Sequence, residues 1–339
     1  MLDFFGDWRT VKAAAHEFLE YDERSIHRAV QQLYAHSLLE RSDRSANLRD
    51  GAFARWSEWH PSAGFFHFST KNMVYTSGAL RETRLARERT RSWPVPPSVK
   101  RYPGKRPLPL PEPSKQGEFP QVLLSRRTWR RFSRQAVTKE QLSTLLGLTA
   151  RVQQWVEAPR RSRLALKTTV SCGSRHPIEV YVLALRVDGL QRGIYHYAAD
   201  LHALEQLAGP DGRWVNKPWL PTLLPEQVWT RAAPVLLFLT SVFAREQWKY
   251  PFSRAYRALL LDAGHLCQNI CLVATWLGLA AFSTMALGDS KIDRALGLDG
   301  VSESVLYAAG VGVRPKDNRP DFGLESWPGP TWQPFGDKQ

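Results

Sequence analysis

Three clusters of side chains have types and spacings that can do chemistry. The segment LLSRRTWRRFS at 123–133 places Arg126, Arg127, Thr128, Arg130 and Arg131 within six residues, just before a helical pattern. Guanidinium forks grip phosphate through paired hydrogen bonds, and a neighbouring hydroxyl adds a further donor. A solvated basic face or a nucleic-acid contact would use the same residues. The segment TVSCGSRHPIEVYVLAL at 169–185 opens with the small residues Ser171, Cys172, Gly173 and Ser174. Such a loop lets a ligand approach the backbone closely, although a plain surface turn has the same composition. The third cluster is Lys249-Tyr250. In a dry site either side chain can act as a base once its pKa falls, whereas on a surface the pair has no special role.

A long apolar helix is expected within WKYPFSRAYRALLLDAGHLCQNIC at 248–271, and four polar groups interrupt it: Asp262, His265, Gln268 and Asn269. Asp262, His265 and Asn269 are spaced i, i+3, i+7 and form a stripe on one helical face. Burying such a stripe needs hydrogen-bond partners, supplied by a cofactor, a partner subunit or a structural network. For His265 a satisfied structural role competes with a direct catalytic one. Neighbours on a strand point to opposite faces, so Lys249 and Tyr250 share a face only if the backbone is irregular there. Pro251 favours that irregularity.

The elements that must position these groups read as a mixture. Residues 1–45 hold two amphipathic helices, one over about 11–19 and one starting after Asp22-Glu23 with Ile26, Val30 and Leu33 on one face. LLERSD then looks like the turn into a wing strand, so the unit reads as a winged helix-turn-helix or as a helical hairpin docked on the main body. An Arg-rich helix is expected at about 80–91. Residues 92–120 carry nine of the 23 prolines and cannot support a regular hydrogen-bond ladder, so the main boundary is drawn there. The expected organisation is an N-terminal region 1–91, a Pro-rich linker 92–120 and a main domain 121–339. In that domain a helix follows the Thr138…Gln141 capping box. Strands are expected at 179–187, 193–200, 234–242 and 305–315. The fold class is α+β.

Composition excludes several classes. With 43% apolar residues and 13 tryptophans the chain can bury a large core and is not a disordered protein. The formal net charge of +14 calls for an anionic partner, whether nucleic acid, a membrane surface, an acidic peptide or a phosphorylated cofactor. Three cysteines, Cys172, Cys267 and Cys271, make no disulfide framework and no metal-binding pattern, which suggests a reducing compartment. The acidic N-terminus does not read as a signal peptide, and the longest uninterrupted apolar run, 271–282, is too short to span a bilayer. A cytoplasmic, soluble protein with no membrane and no metal is expected.

Taken in order, R-R-T-x-R-x-F, S-C-G-S-R-H-P-x-E-x-Y, W-K-Y…R-A-Y-R…A-G-H…Q-N and L-Y…G-V-G resemble the FMN-dependent nitroreductase superfamily. More narrowly they resemble its SagB-type branch, the azoline oxidases that turn thiazolines and oxazolines into azoles. The resemblance covers roughly 120–315. It implies a nitroreductase-like FMN-binding fold, a central antiparallel-type sheet flanked by helices, preceded by a small winged-helix-like domain. It also implies a homodimer, because superfamily members build the flavin site from two chains. By that resemblance Arg126, Arg127, Thr128 and Arg130 contact the FMN phosphate and ring edge, with threonine replacing the usual serine. Ser171, Cys172 and Gly173 would lie against the flavin, with Cys172 unusual there. Backbone N–H groups of about Met285, Ala286 and Leu287 would face flavin N5, and Arg314 would return a cation to the phosphate. His265, Gln268 and Asn269 match the long-helix signature and serve flavin or dimer packing. Lys249 and Tyr250 match the pair implicated in azoline desaturation.

The implied reaction is a two-electron desaturation of a free, peptide-bound or carrier-bound azoline in natural-product biosynthesis, with dioxygen a reasonable final acceptor. An NAD(P)H-dependent nitroreductase or flavin reductase is the alternative enzyme; no GxGxxG fingerprint is present, and none is required for a nicotinamide to stack on a flavin. From a different class, a DNA- or peptide-binding regulator with a flavin sensor is the alternative. Against DNA, the second N-terminal helix offers few basic residues, Arg24 and Arg28, with Arg41 beyond its end.

Overall fold

Six runs of alternating or continuous apolar residues pair into one sheet: β1 (Ile178–Ala184), β2 (Gly193–Ala198), β3 (Ala203–Ala208), β4 (Val235–Val242), β5 (Leu279–Thr284) and β6 (Glu303–Val313). Their order is β3-β2-β1-β4-β6-β5, and every neighbouring pair is antiparallel. The computed structural model describes residues 2–7, 9–35, 38–39, 53–73, 88, 91, 97–100, 104, 106, 108–157, 163–215 and 220–320. The central strands β1 and β4 are buried almost throughout, because both sheet faces are covered.

One face packs Val180, Val182, Leu237 and Leu239 against α5 (Lys139–Thr149) and α7 (Tyr256–Trp276). The other packs Leu183, Leu236, Phe238 and Phe282 against α8 (Asp289–Leu296) and the 215–224 region. The fold is thus α+β with a central antiparallel sheet between helices. The Thr138 box forms as expected: Gln141 N donates to Thr138 Oγ1 at 3.1 Å, and Thr138 N donates to Gln141 Oε1 at 3.0 Å.

The apolar run 271–282 does not stay one element. Helix α7 ends at Trp276, Gly278 takes a φ of 71°, and β5 begins at Leu279. β3 is likewise a strand that no alternation announces. By length and composition Ser253–Trp276 could cross a membrane, yet half of its most apolar window is buried inside the body, as a core helix would be.

At the N-terminus, α1 (Val11–Glu17) and α2 (Glu23–Ala35) form the expected helical pair, α1 ending two residues early. The wing segment and nearly all of the Arg-rich 80–91 stretch lie outside the described residues, as does much of 92–107. FFHFS belongs to a helix, α3 (Pro61–Ser69), which docks on the main body. Trp56, Trp59, Ala63 and Phe68 form one buried cluster with Phe243, Tyr256, Leu259 and Val301. Lys71 Nζ donates to Asp293 Oδ2 at 2.7 Å and to Ser304 Oγ at 2.8 Å.

His67, on α3, is fully buried with Nδ1 2.9 Å from the Tyr256 hydroxyl. Burial, with Lys71 nearby, pushes its pKa down from 6.5 to about 3. Between those values the unfolded chain binds a proton that the folded chain refuses, so stability falls as pH drops through that window. His67→Gln is expected to flatten that dependence, read as the urea midpoint against pH.

Candidate functional site

Lys249 and Tyr250 sit at the end of a short helix, α6 (Phe243–Lys249), which follows β4 directly. The expected irregularity is therefore a helix terminus. Tyr250 is the C-cap with φ −130° and ψ 79°, so the chain swings out of helical register between the two residues. Pro251 follows, as suits a helix end. Trp59, 1% exposed, fixes this corner by donating its indole N–H to the Tyr250 carbonyl at 2.9 Å.

Both side chains converge on the small-residue loop. Lys249 Nζ donates to the Gly173 carbonyl at 2.9 Å and lies 5.4 Å from the Tyr250 ring centroid. Gly173 has φ 59°, and a Cβ there would strike Lys249 Nζ and come within 2.6 Å of the Tyr250 hydroxyl. The loop is held in place by its own polar bonds. Ser171 Oγ accepts from His176 N at 2.8 Å, and Cys172 N donates to Asp262 of α7 at 3.2 Å.

The polar stripe of α7 divides. Asp262 is buried and serves the loop; Asn269 is half-buried and donates to Thr169 Oγ1 at 2.8 Å. His265 and Gln268 face outward, the His265 side chain 47% exposed and 3.9 Å from Asp262. The expectation of a wholly buried stripe is corrected, because α7 turns only part of that face to its own body. The outward face also carries Leu260, Leu261 and Gly264, with open space where a Gly264 side chain would be.

The arginines gather elsewhere. Trp129 N donates to the Ala281 carbonyl of the edge strand β5 at 2.9 Å, and Ser133 N to the Val313 carbonyl of β6 at 2.9 Å, which pins this segment to that side of the sheet. Arg126 acts electrostatically on Cys271 of α7, and Thr128 and Arg130 are exposed. Arg127 donates to the carbonyls of Leu124 and Arg126 at 2.7 Å. Arg314, just past β6, donates to the carbonyls of Leu279 and Thr275 and stacks over Trp129 at 5.2 Å. Burial alone drives its pKa down to about 10. A half-buried guanidinium with no carboxylate against it among the described residues fits a site built to receive an anion such as phosphate. β5 then carries the chain roughly 20 Å from Leu279 to Met285. Met285 is 73% exposed, whereas the Ala286 N–H is already bound to Thr284 Oγ1 at 3.0 Å.

The candidate residues therefore form two groups at opposite ends of α7. Asp262 and Thr275 are thirteen positions apart, about 20 Å along the helix axis. Within one chain the loop at 171–173 and the arginines do not meet. Among the described residues no cluster of His, Cys, Asp and Glu could hold a metal.

Sequence reasoning missed Glu246. It lies on α6, one turn before Lys249, at 0% exposure, and burial pushes its pKa up to about 7. Only its position three residues before Lys249 hinted that it shares that helix face.

The model of the nitroreductase family matches residues 123–313, more than half of the chain. The chain belongs to the nitroreductase family. Members of this family are flavin-dependent oxidoreductases, and so is this protein. MJ1384 of Methanocaldococcus jannaschii, whose name assigns it to the nitroreductases, is 29% identical over 175 residues, covering 52% of this chain and 82% of that protein. The trifolitoxin-processing protein TfxB of Rhizobium leguminosarum bv. trifolii is 32% identical over 145 residues, 42% of this chain but only 38% of TfxB. Among solved structures, a chain of the E. coli microcin synthetase McbBCD complex shares the fold, with a TM-score of 0.52 at 20% identity. That match covers 81% of this nitroreductase-family chain and the whole of the other.

Proposed function

We propose that this nitroreductase-family protein binds FMN and desaturates a thiazoline or oxazoline to the azole, on a peptide or carrier, as a SagB-type dehydrogenase. The observation that carries the reading is the convergence of Lys249 and Tyr250 on Gly173, at a corner where a side chain on residue 173 would have no room. TfxB, a relative by name concerned with processing trifolitoxin, supports a substrate among modified peptides. So does the fold shared with a microcin synthetase chain solved with truncated pro-MccB17 bound in its complex.

When bound, FMN supplies the hydride acceptor. Arg126, Thr128, Arg130 and Arg314 would hold the phosphate, and the Met285–Leu287 backbone would lie on the ring side. Lys249 and Tyr250 take the proton from the ring carbon beside the C=N and orient the azoline against the loop. Gly173 keeps the floor of the site low enough for both. His265, Gln268 and the Leu261 face of α7 pack on a second copy, which brings its own 171–173 loop to the arginines of the first. The two-copy arrangement removes the 20 Å gap along α7.

Arg314→Ala is expected to weaken FMN retention by about ten- to a hundredfold, the worth of one charge-assisted contact, as read by equilibrium dialysis. Unchanged retention would remove Arg314 from the phosphate site. Conversion of a thiazoline peptide separates the desaturase from a nitroreductase fed by NAD(P)H, which would instead consume nicotinamide in the presence of a nitroarene.

A further inference from the structure

The loop that carries Gly173 is held in a backbone conformation that side chains rarely adopt. Gly173, Ser174 and His176 have φ of 59°, 52° and 45°. Left-handed residues packed so closely persist only where the surroundings over-determine them. Ser174 N and His176 N donate within the loop, to the Ser171 carbonyl at 3.1 Å and to Ser171 Oγ at 2.8 Å. From outside, Asp262 takes the Cys172 amide, and the Ala165 carbonyl lies 2.9 Å from His176 Nε2.

The remaining supports come from α6, and their spacing matches the loop. Arg245 and Lys249 are four apart, so they lie on one helical face a turn from each other. Lys249 Nζ donates to the Gly173 carbonyl at 2.9 Å, and a terminal nitrogen of Arg245 donates to the His176 carbonyl at 2.8 Å. Two cations on successive turns take two carbonyls three residues apart. The Arg245 carbonyl in turn accepts from Arg175 Nε at 3.2 Å, and the Arg175 guanidinium lies 4.6 Å from the Trp248 ring centroid. Helix and loop grip each other in both directions.

The same Arg245 nitrogen lies 2.5 Å from Glu179 Oε1 on β1, and the Glu179 side chain is only 14% exposed. The other Glu179 oxygen is 3.1 Å from His196 Nε2 on β2, and His196 Nδ1 is 2.7 Å from Glu205 Oε2 on β3. The hydrogen bond to Glu179 is the chief cause that raises the His196 pKa to about 9, so the ring is charged at neutral pH. Acid and base alternate across three strands, and the chain of charges ends on Arg245. A carboxylate fixed in the sheet therefore aims the guanidinium.

We propose that Arg245 is a positioning residue: it ties the backbone of the 171–176 loop to Glu179 of the sheet and so sets where the Gly173 carbonyl holds Lys249. This rests on the desaturase reading and deepens it. Arg245 acts through Lys249, whose amine must stand beside the reacting carbon. A displacement of about 1 Å at such a group costs on the order of a hundredfold in rate.

Two measurements on the FMN-loaded protein test this role. The first is hydrogen exchange of the 171–178 amides, read by mass spectrometry, and it needs no turnover. Arg245→Met should speed exchange at 172–176 by about tenfold or more, while β4 and α7 keep their wild-type rates. Glu179→Gln keeps Arg245 but loses the carboxylate that aims it. It should give the same loop-confined change to a smaller degree, and it carries the test if Arg245→Met fails to fold. Wild-type exchange at the loop would overturn the proposal. Faster exchange spread over the whole sheet would overturn it too, as the mark of lost stability alone. The second measurement is kcat and KM with 2-phenylthiazoline-4-carboxamide as probe. Arg245→Met should lower kcat roughly a hundredfold and change KM by less than about threefold. Arg245→Lys, which keeps a cation for the His176 carbonyl, should recover most of the loss. A wild-type kcat, or a loss carried by KM alone, would overturn the proposal. If the wild-type protein leaves the probe unchanged while loop exchange responds as expected, the desaturase reading fails and the clamp on the loop stands.

Discussion

Lys249→Ala and Tyr250→Phe are each expected to leave the protein yellow with bound FMN and to abolish azole formation. The corner they occupy is built from the rest of the molecule. α6 leaves β4, Trp59 holds the Tyr250 carbonyl, and the loop is fixed through Asp262 and Ser171. Neither substitution touches those supports, so the corner persists without its functional groups. Losing one group that moves or holds a proton at the reacting carbon costs about a hundredfold to ten-thousandfold in rate. Losing Lys249 also frees the Gly173 carbonyl, adding misplacement to missing chemistry. Product formation followed by mass spectrometry is the measurement. Turnover within tenfold of wild type in both variants would take the pair out of the mechanism.

On the proposed two-copy arrangement, Leu261→Glu is expected to give a monomer that no longer retains FMN. Leu261 is 61% exposed on the outward face of α7, beside Leu260 and the open position at Gly264. A run of exposed leucines around a glycine on a long helix suits close approach of a second helix. A carboxylate in the middle of such a contact would be desolvated without a partner, an effect of several kcal/mol. Because each flavin would lie between one chain's arginines and the other's loop, dissociation and flavin loss should occur together. Sedimentation with absorbance at the flavin band reads both at once. A Leu261→Glu protein that is monomeric and still holds FMN would break the link between them.

Local pattern was enough for most of the framework. β1, β2, β4 and β6 are carried by β-branched and aromatic runs, and α5 by its capping box. β5 was hidden because the apolar run 271–282 has no break except Gly278, whose positive φ marks the turn only once the chain is folded. β3, ALEQLA, is an edge strand whose polar outward residues remove the usual signal. The candidate site was readable as residue types: arginines with a hydroxyl, a small-residue loop and a Lys-Tyr pair. Its geometry was not. That Lys249 and Tyr250 share a face follows from a helix end, and that Glu246 is buried goes with the 172–175 loop and Asp262 of α7 lying near it. Such burial depends on contacts across roughly seventy residues, which no short window along the chain contains. The split of the α7 stripe has the same origin, since the helical period aligns Asp262, His265 and Asn269 but not the elements that cover them.

The most direct test is to incubate the FMN-loaded protein with a thiazoline-containing peptide in air and follow the peptide mass. Loss of two hydrogens, absent in Lys249→Ala, is the predicted result. A peptide of unchanged mass beside a fully flavin-loaded enzyme would contradict the assignment.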